Sequence, residues 1–374
     1  MFFVIILGSL IAIQVVSAVC VLKLFKNNPL LKYVLLGFIF LGFICFIAAM
    51  FFSAEAPVRI GYILSEAGFD WLISLPLVFV LLILLSLLSG FGLLAPAYRA
   101  KAFYAGFLLI LLILACGRYG FYRITVPEYD ITLAAGRAPV RNDTIRIAAV
   151  SDLHLGNYIN KGSLKRFADA MNAQNPDVMF FAGDIIDRDI TPLIEQNMAE
   201  EFAKLNPPLG KYLIPGNHEG YGNEDAAAVD AYYKSAGFTV LRDSAVLVDS
   251  LFYLVGRSDN RRTRMSTDEI LGKYMPEIND SIPVIVLDHR PATYEEWNTR
   301  TADKYPPFLV ISGHTHNGQI FPFNKIVKAI YPHYHGHFTE GGTHYITGAG
   351  LGLWGPKFRL GTRSEIVDIK LYYK

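Results

Sequence analysis

Four long apolar runs in the first third of the chain constrain its fold more than any other feature. They cover residues 2–22, 33–52, 71–95 and about 102–121, and are almost free of charge. A helix needs about 20 such residues to cross a bilayer, so each run reads as a membrane span. Arg118, in the fourth, is expected to snorkel, and Tyr119, Phe121 and Tyr122 suit an interfacial belt. The first run lacks a basic leader and a small-residue cleavage site, so it is expected to be retained as a helix. Lys23, Lys26 and Lys32 lie between the first two runs, and Arg99 and Lys101 between the last two. The middle loop has Arg59 beside Glu55 and Glu66. By the positive-inside rule the two basic loops are cytoplasmic, which places everything after the fourth run outside the cytoplasm.

Composition divides the 374-residue chain at the same place. Residues 1–120 hold seven Lys/Arg and three Asp/Glu, whereas residues 121–374 hold 27 and 30. A slightly acidic C-terminal part without basic runs is not expected to bind nucleic acid. Cys20, Cys45 and Cys116 all fall in the apolar segments, which argues against a disulfide framework or a thiolate zinc site. Every one of the nine histidines comes after residue 150.

Residues 123–144, with Pro127, Gly136 and Pro139, read as a linker leading to the first strand. From 145 onward short apolar β-rich runs alternate with helical segments and later become mostly strands. That order predicts an α/β fold with two sheets sandwiched and flanked by helices, preceded by an all-α four-helix transmembrane domain. The expected domains are therefore 1–122 and 145–374. The chemistry lies in the residues just past the strand ends: "SDLH" has Asp152 and His154, "GDIID" has Asp184 and Asp187, and "GNHE" has Asn217, His218 and Glu219. Later come "DHR", with Asp288 and His289, and "GHTH", with His314 and His316.

Ligands in open α/β sheets bind beyond the carboxyl ends of strands, so these groups are expected to converge. Residues two apart on extended chain point to one side, which lets Asp152 and His154 grip one ion together, and likewise His314 and His316. Carboxylates, imidazoles and an amide without thiolate suit Mn²⁺, Fe, Zn²⁺ or Mg²⁺, and the number of donors is enough for two ions. Gly183, Gly216 and Gly313 are expected to permit close backbone approach.

D-x-H, G-D-x-x-D, G-N-H-E, a lone His and G-H-x-H, in this order, resemble the calcineurin-like metallophosphoesterases over about 145–372. The closing "GAGLGLWGPKFRLGTRSEI" is similar to the branch of YaeI/YkuE-type membrane-associated phosphodiesterases. The resemblance implies one metal on Asp152, His154, Asp184 and His316, and a second on Asp184, Asn217, His289 and His314. Asp184 bridges in that scheme, and Asp288 competes with His289. The scheme makes His218 the general acid with Glu219 orienting it, puts Asp187 in a supporting hydrogen-bonding role, and has a metal-activated hydroxide attack phosphorus. The implied activity is metal-dependent phosphoric ester hydrolysis with two divalent ions, Mn²⁺ foremost.

The four spans and the C-terminal segment point toward a phosphodiester substrate that is lipid or lipid-linked, with the bilayer as partner. A UDP-diacylglucosamine-type pyrophosphatase and a catalytically silent membrane scaffold or receptor are the alternatives. Arg257, Arg261, Arg262 and Arg264 in "GRSDNRRTRM" are candidates for binding the substrate phosphate, with a solvated loop as the competing reading. His333, His335 and His337 in "YPHYHGHF" raise the question of a third metal site.

Overall fold

The computed structural model describes residues 2–53, 56–133, 144–222, 225–259, 265–279, 281–291 and 307–373. The chain forms two units: Met1–Tyr119 with Gly355–Phe358, and Gly120–Trp354 with Arg359–Lys374. In the first, α1 (Phe2–Leu24), α2 (Pro29–Phe52), α3 (Val58–Gly90) and α4 (Arg99–Tyr122) are all long and apolar enough to cross a membrane. Asn28 caps α2, its Oδ1 accepting from Leu31 N at 3.2 Å, with Pro29 in the first turn, where its missing N–H costs nothing.

α3 begins well before the apolar run that signals it, because hydropathy marks the greasy stretch and not the helix around it. It stops at Gly90, where Phe91 N bonds back to Leu87 O and Gly92 turns the chain at φ 73. The extension carries Glu66 and Asp70, and both meet Arg118, Nη1 of which lies 3.0 Å from Asp70 Oδ1. Arg118, expected to snorkel, thus pairs with two carboxylates of α3. Glycines let the helices approach closely. A Cβ on Gly68 would stand 2.7 Å from Phe46 Cα, and one on Gly42 would stand 2.0 Å from the Trp71 ring.

The second unit opens with β1 (Ile124–Thr125) and β2 (Glu128–Leu133), so part of the expected linker is strand. The reason is period-two burial: Ile131 and Leu133 point inward while their neighbours face out. β3 (Thr144–Val150), β4 (Val178–Ala182), β5 (Lys211–Ile214) and β6 (Thr239–Val240) come next. After them come β7 (Ser244–Val248), β8 (Phe252–Gly256), β9 (Val284–Leu287), β10 (Leu309–Ser312), β11 (Gly336–Glu340) and β12 (Thr343–Thr347). β13 (Ser364–Glu365) and β14 (Val367–Tyr373) close the chain.

Two six-stranded sheets result, in the orders β2-β14-β3-β4-β5-β6 and β11-β12-β10-β9-β8-β7, while β1 pairs with β13. Ile147, Ala149, Phe180 and Ile214 of the first sheet share one buried cluster with Leu254, Ile285, Leu287, Ile311 and Ile346 of the second. That cluster is the sandwich core.

Among the described residues the helices of this unit are α5 (Lys161–Asn172), α6 (Thr191–Glu195), α7 (Ala199–Ala203), α8 (Ala226–Ser235), α9 (Thr267–Tyr274) and α10 (Phe323–Ile330). The segment "PLIEQNMAEEFAKL", which reads as one helix, is two, because Asn197 takes a left-handed φ of 52. Phe180 is fully buried in the sandwich core. Phe180→Ala is expected to cost about 3–5 kcal/mol, to be measured by denaturant unfolding of the detergent-solubilised protein. A loss below about 1 kcal/mol would mean the sheets do not pack through this ring.

Candidate metal centre

β3, β4 and β5 are adjacent and parallel in one sheet, and β9 and β10 are adjacent and parallel in the other. Each delivers its chemistry just past its carboxyl end. Asp152, His154 and His316 bring ligand atoms together, as do Asp184, His289 and His314. His316 Nε2 lies 3.2 Å from His154 Nε2 and 3.5 Å from Asp152 Oδ1. His154 Nε2 is 3.9 Å from Asp184 Oδ2, which itself stands 3.1 Å from His289 Nε2. Asp184 therefore sits between the two groups. His289 Nε2 is 3.3 Å from His314 Nδ1.

Local backbone explains why the donors face inward. Asp152, His154, Asp184, His314 and His316 all have left-handed φ, between 48 and 70. Such backbone costs a non-glycine residue about 1–3 kcal/mol and persists only where surroundings impose it. Here Asp152 N donates to Gly183 O at 2.9 Å and His154 N to Asp184 O at 3.0 Å. Both Asp152 carboxylate oxygens accept from His314 N, at 3.1 and 3.0 Å, and Ser151 Oγ also donates to this carboxylate. The expected glycines fit: a Cβ on Gly216 would lie 2.2 Å from Asp184 Oδ1, and one on Gly313 2.4 Å from Asp152 Oδ2.

His289 Nδ1 lies 2.8 Å from Ala182 O, so that nitrogen donates and Nε2 is the one turned toward Asp184, at 3.1 Å. Burial opposes a charged His289, yet Asp184 and Asp152 push its pKa up to about 10, the mark of a spot that attracts positive charge. Burial together with His289 and Arg290 lowers His314 to about 3, and burial with His154 and Arg359 holds His316 well down. Both are neutral imidazoles, the ligand form.

Asn217 completes the donor set chemically. Its Nδ2 donates to Tyr221 Oη at 3.0 Å, whereas its Oδ1 is buried with no hydrogen-bond partner. An orphaned buried oxygen costs about 1–3 kcal/mol, which coordination to a cation recovers. Oxygen and imidazole donors, buried acids and an orphan amide oxygen fit two hard or borderline divalent ions.

Around this set the supporting roles differ from expectation. Glu219 does not orient His218. Its carboxylate accepts from the backbone N–H of Asp184 (3.1 Å), Ile185 (2.7 Å), Ile186 (3.3 Å) and Gly216 (2.7 Å), and from Tyr233 Oη (2.9 Å). It thereby ties the β4 exit to the β5 exit. His218 is held instead by Asp187: Nδ1 lies 2.7 Å from the Asp187 carbonyl oxygen and 3.4 Å from its Oδ1, which is also 3.4 Å from His154 Nδ1. The expected supporting role of Asp187 matches this placement.

Arg257 is buried and pairs with Asp288 at 3.0 Å, so neither behaves as the rim cation or the competing ligand of the sequence reading. Arg261, Arg262 and Arg264 lie outside the described residues. His333, His335 and His337 turn to Glu340, Glu365 and His344 respectively and do not form one donor group among the described residues.

Arg359 was missed by sequence reasoning, since a lone Arg in a closing segment carries no signal. It is fully buried, and its Nη2 donates to the carbonyl oxygens of Ala349, Gly350 and Gly352 at 2.7, 3.0 and 2.7 Å. A Cβ on Gly350 would come 2.9 Å from Asp152 Cβ, so Arg359 braces the loop that backs the metal carboxylate.

A two-sheet sandwich with two facing donor sets at its strand exits defines a class, the metallophosphoesterases. The family profile for calcineurin-like phosphoesterase matches residues 145–318. An uncharacterized metallophosphoesterase of Aquifex aeolicus (strain VF5) is 30% identical over 265 residues, spanning 67% of this chain and 92% of its own. The uncharacterized metallophosphoesterase YkuE of Bacillus subtilis (strain 168) is 31% identical over 274 residues, with shares of 69% and 91%. A Danio rerio transmembrane protein with metallophosphoesterase domain is 29% identical over 270 residues, with shares of 68% and 59%. This chain belongs to the calcineurin-like metallophosphoesterase family, and membership implies a metal-dependent phosphoric ester hydrolase.

Glu219→Ala is expected to lower metal affinity about 10–100-fold by releasing four N–H groups, as read by calorimetric metal titration. Unchanged affinity would sink the bracing role. Burial works against charge on His218, but Asp187 and Asp184 outweigh it and raise its pKa to about 9. Asp187→Asn removes one of those negative charges, so the basic limb of the pH–rate profile should move to lower pH. A limb that stays put would show that Asp187 does not tune His218.

Proposed function

We propose that the chain is a membrane-anchored phosphodiesterase, acting on a lipid or lipid-linked phosphodiester with its catalytic unit outside the cytoplasm and Mn²⁺ as the native ion. The observation that carries the catalytic reading is His218 beside the two donor sets, its Nδ1 fixed on the Asp187 carbonyl oxygen. Asp152, His154, Asp184 and His316 would hold one ion, and Asp184, Asn217, His289 and His314 the other. When bound, the pair supplies an activated water for attack on phosphorus and positive charge for the phosphoryl oxygens.

The chain's own residues supply the rest. A carbonyl oxygen accepts only, so His218 Nδ1 must carry a proton. With its pKa raised to about 9, His218 is an imidazolium at neutral pH, and Nε2–H is left to protonate the leaving oxygen. His154 and His218 rings meet edge to face at 4.4 Å between centroids, which places the acid against the first donor set. Retention of every expected donor and of His218 favours an enzyme over a silent scaffold. Support for a lipid substrate comes from four apolar helices, where a simple anchor needs one.

Purified protein, stripped with chelator and reloaded with Mn²⁺, should hydrolyse bis(p-nitrophenyl) phosphate and a phospholipid diester. Asp184→Asn should abolish turnover, and His218→Ala should reduce it about 10²–10⁴-fold. Near-normal rates in either variant would refute the assigned role. A compartment-sensitive reporter fused after Lys374 tests the side of the membrane, and a cytoplasmic signal would overturn that part of the proposal.

A further inference from the structure

Helix α10 inverts the usual arrangement of an amphipathic helix on a folded domain. Phe323, Ile326 and Ile330 succeed one another at three- and four-residue spacing and so share a face. That face would normally lie on a core. Here the three side chains are 54%, 55% and 62% exposed, Phe321 at the entrance to the helix is 56% exposed, and no residue of α10 is buried. Lys325 and Lys328 lie on the opposite side and are exposed as well. A short helix with an open apolar stripe and a basic back has the make-up of one that lies in a lipid interface.

The chain says which surface is at hand. The last turn of α4, from Gly120, belongs to the same unit as α10. Ser364 Oγ donates to Phe121 O at 3.0 Å, and β13, which contains Ser364, pairs with β1 just beyond that turn. Four residues back, Leu360 O accepts from Phe321 N at 2.8 Å, and Thr362 Oγ1 donates to Gln319 O at 2.6 Å. Four residues span at most about 14 Å of chain. The root of α10 is therefore hydrogen-bonded to a segment that is itself hydrogen-bonded to the end of the fourth apolar helix.

We infer that α10 is an in-plane anchor, its Phe323–Ile326–Ile330 face seated in the bilayer that α1–α4 cross. The helix starts seven residues after His316, so an anchored α10 would tie the loop bearing this candidate ligand to the lipid surface. This inference rests on the reading that the four helices span a membrane.

The test uses the full-length protein with its three cysteines replaced by serine, reconstituted into vesicles containing phosphatidylglycerol. A nitroxide is placed in turn at Ile326→Cys, Ile330→Cys, Ile44→Cys on α2 and Glu195→Cys on α6, all exposed positions where substitution disturbs little packing. Labels at 326 and 330 should collide more readily with oxygen than with a water-soluble nickel chelate, as the label at 44 should. If those at 326 and 330 are as open to nickel as the label at 195 while 44 stays in lipid, α10 faces water and the inference falls alone. Nickel access at 44 would overturn the spanning reading and the inference with it. Dipolar broadening between labels at 326 on two chains would assign the face to a second copy and likewise reject the bilayer.

Discussion

One carboxylate holds the centre together. Glu219 has no place in the donor set, yet it collects N–H groups from both sides of the gap between the β4 and β5 exits, with the buried Tyr233 hydroxyl behind it. Without an acceptor there, four buried backbone donors would lose their partner, each at about 1–3 kcal/mol. The positions of Asp184 and Asn217, the candidate ligands on those two exits, depend on this tie. Burial and the neighbouring Asp184 both raise the Glu219 pKa. The N–H groups and Tyr233 oppose that shift, and they are the same groups the carboxylate organises.

A second constraint acts on the backbone itself. Five candidate ligands sit in left-handed conformation, each against its own steric preference. Only a surrounding mesh of hydrogen bonds and absent side chains makes this tolerable. Gly183 shows the tightness: a Cβ there would stand 2.5 Å from the His289 ring, so the β4 exit and the His289 imidazole occupy adjoining space with no atom to spare.

Much of this was legible in the sequence because the signals were local. Apolar run length revealed four helices, and polar clusters ending apolar strands revealed the donors, since strand direction fixes where such residues gather. Other features depend on contacts distant in sequence and left no local trace. The part of α3 around Glu66 and Asp70 looks like a loop until Arg118, on another helix, neutralises it. Arg257 looked like a solvent-facing anion binder until Asp288 removed it into the interior. Glu219 left no sign of its place because most of its partners are backbone N–H groups of another loop, some 34 residues away. Arg359 was invisible because its partners are backbone carbonyl oxygens, which every sequence contains.

The division of candidate ligands between the sheets would make a bound metal pair a mechanical part. Asp152, His154, Asp184 and Asn217 ride on one sheet, while His289, His314 and His316 ride on the other, so each donor set draws on both. An ion held this way would be a rivet through the sandwich, its free energy of binding also serving to keep the layers in register. Chemistry and closure of the sandwich would then be the same event seen from two sides.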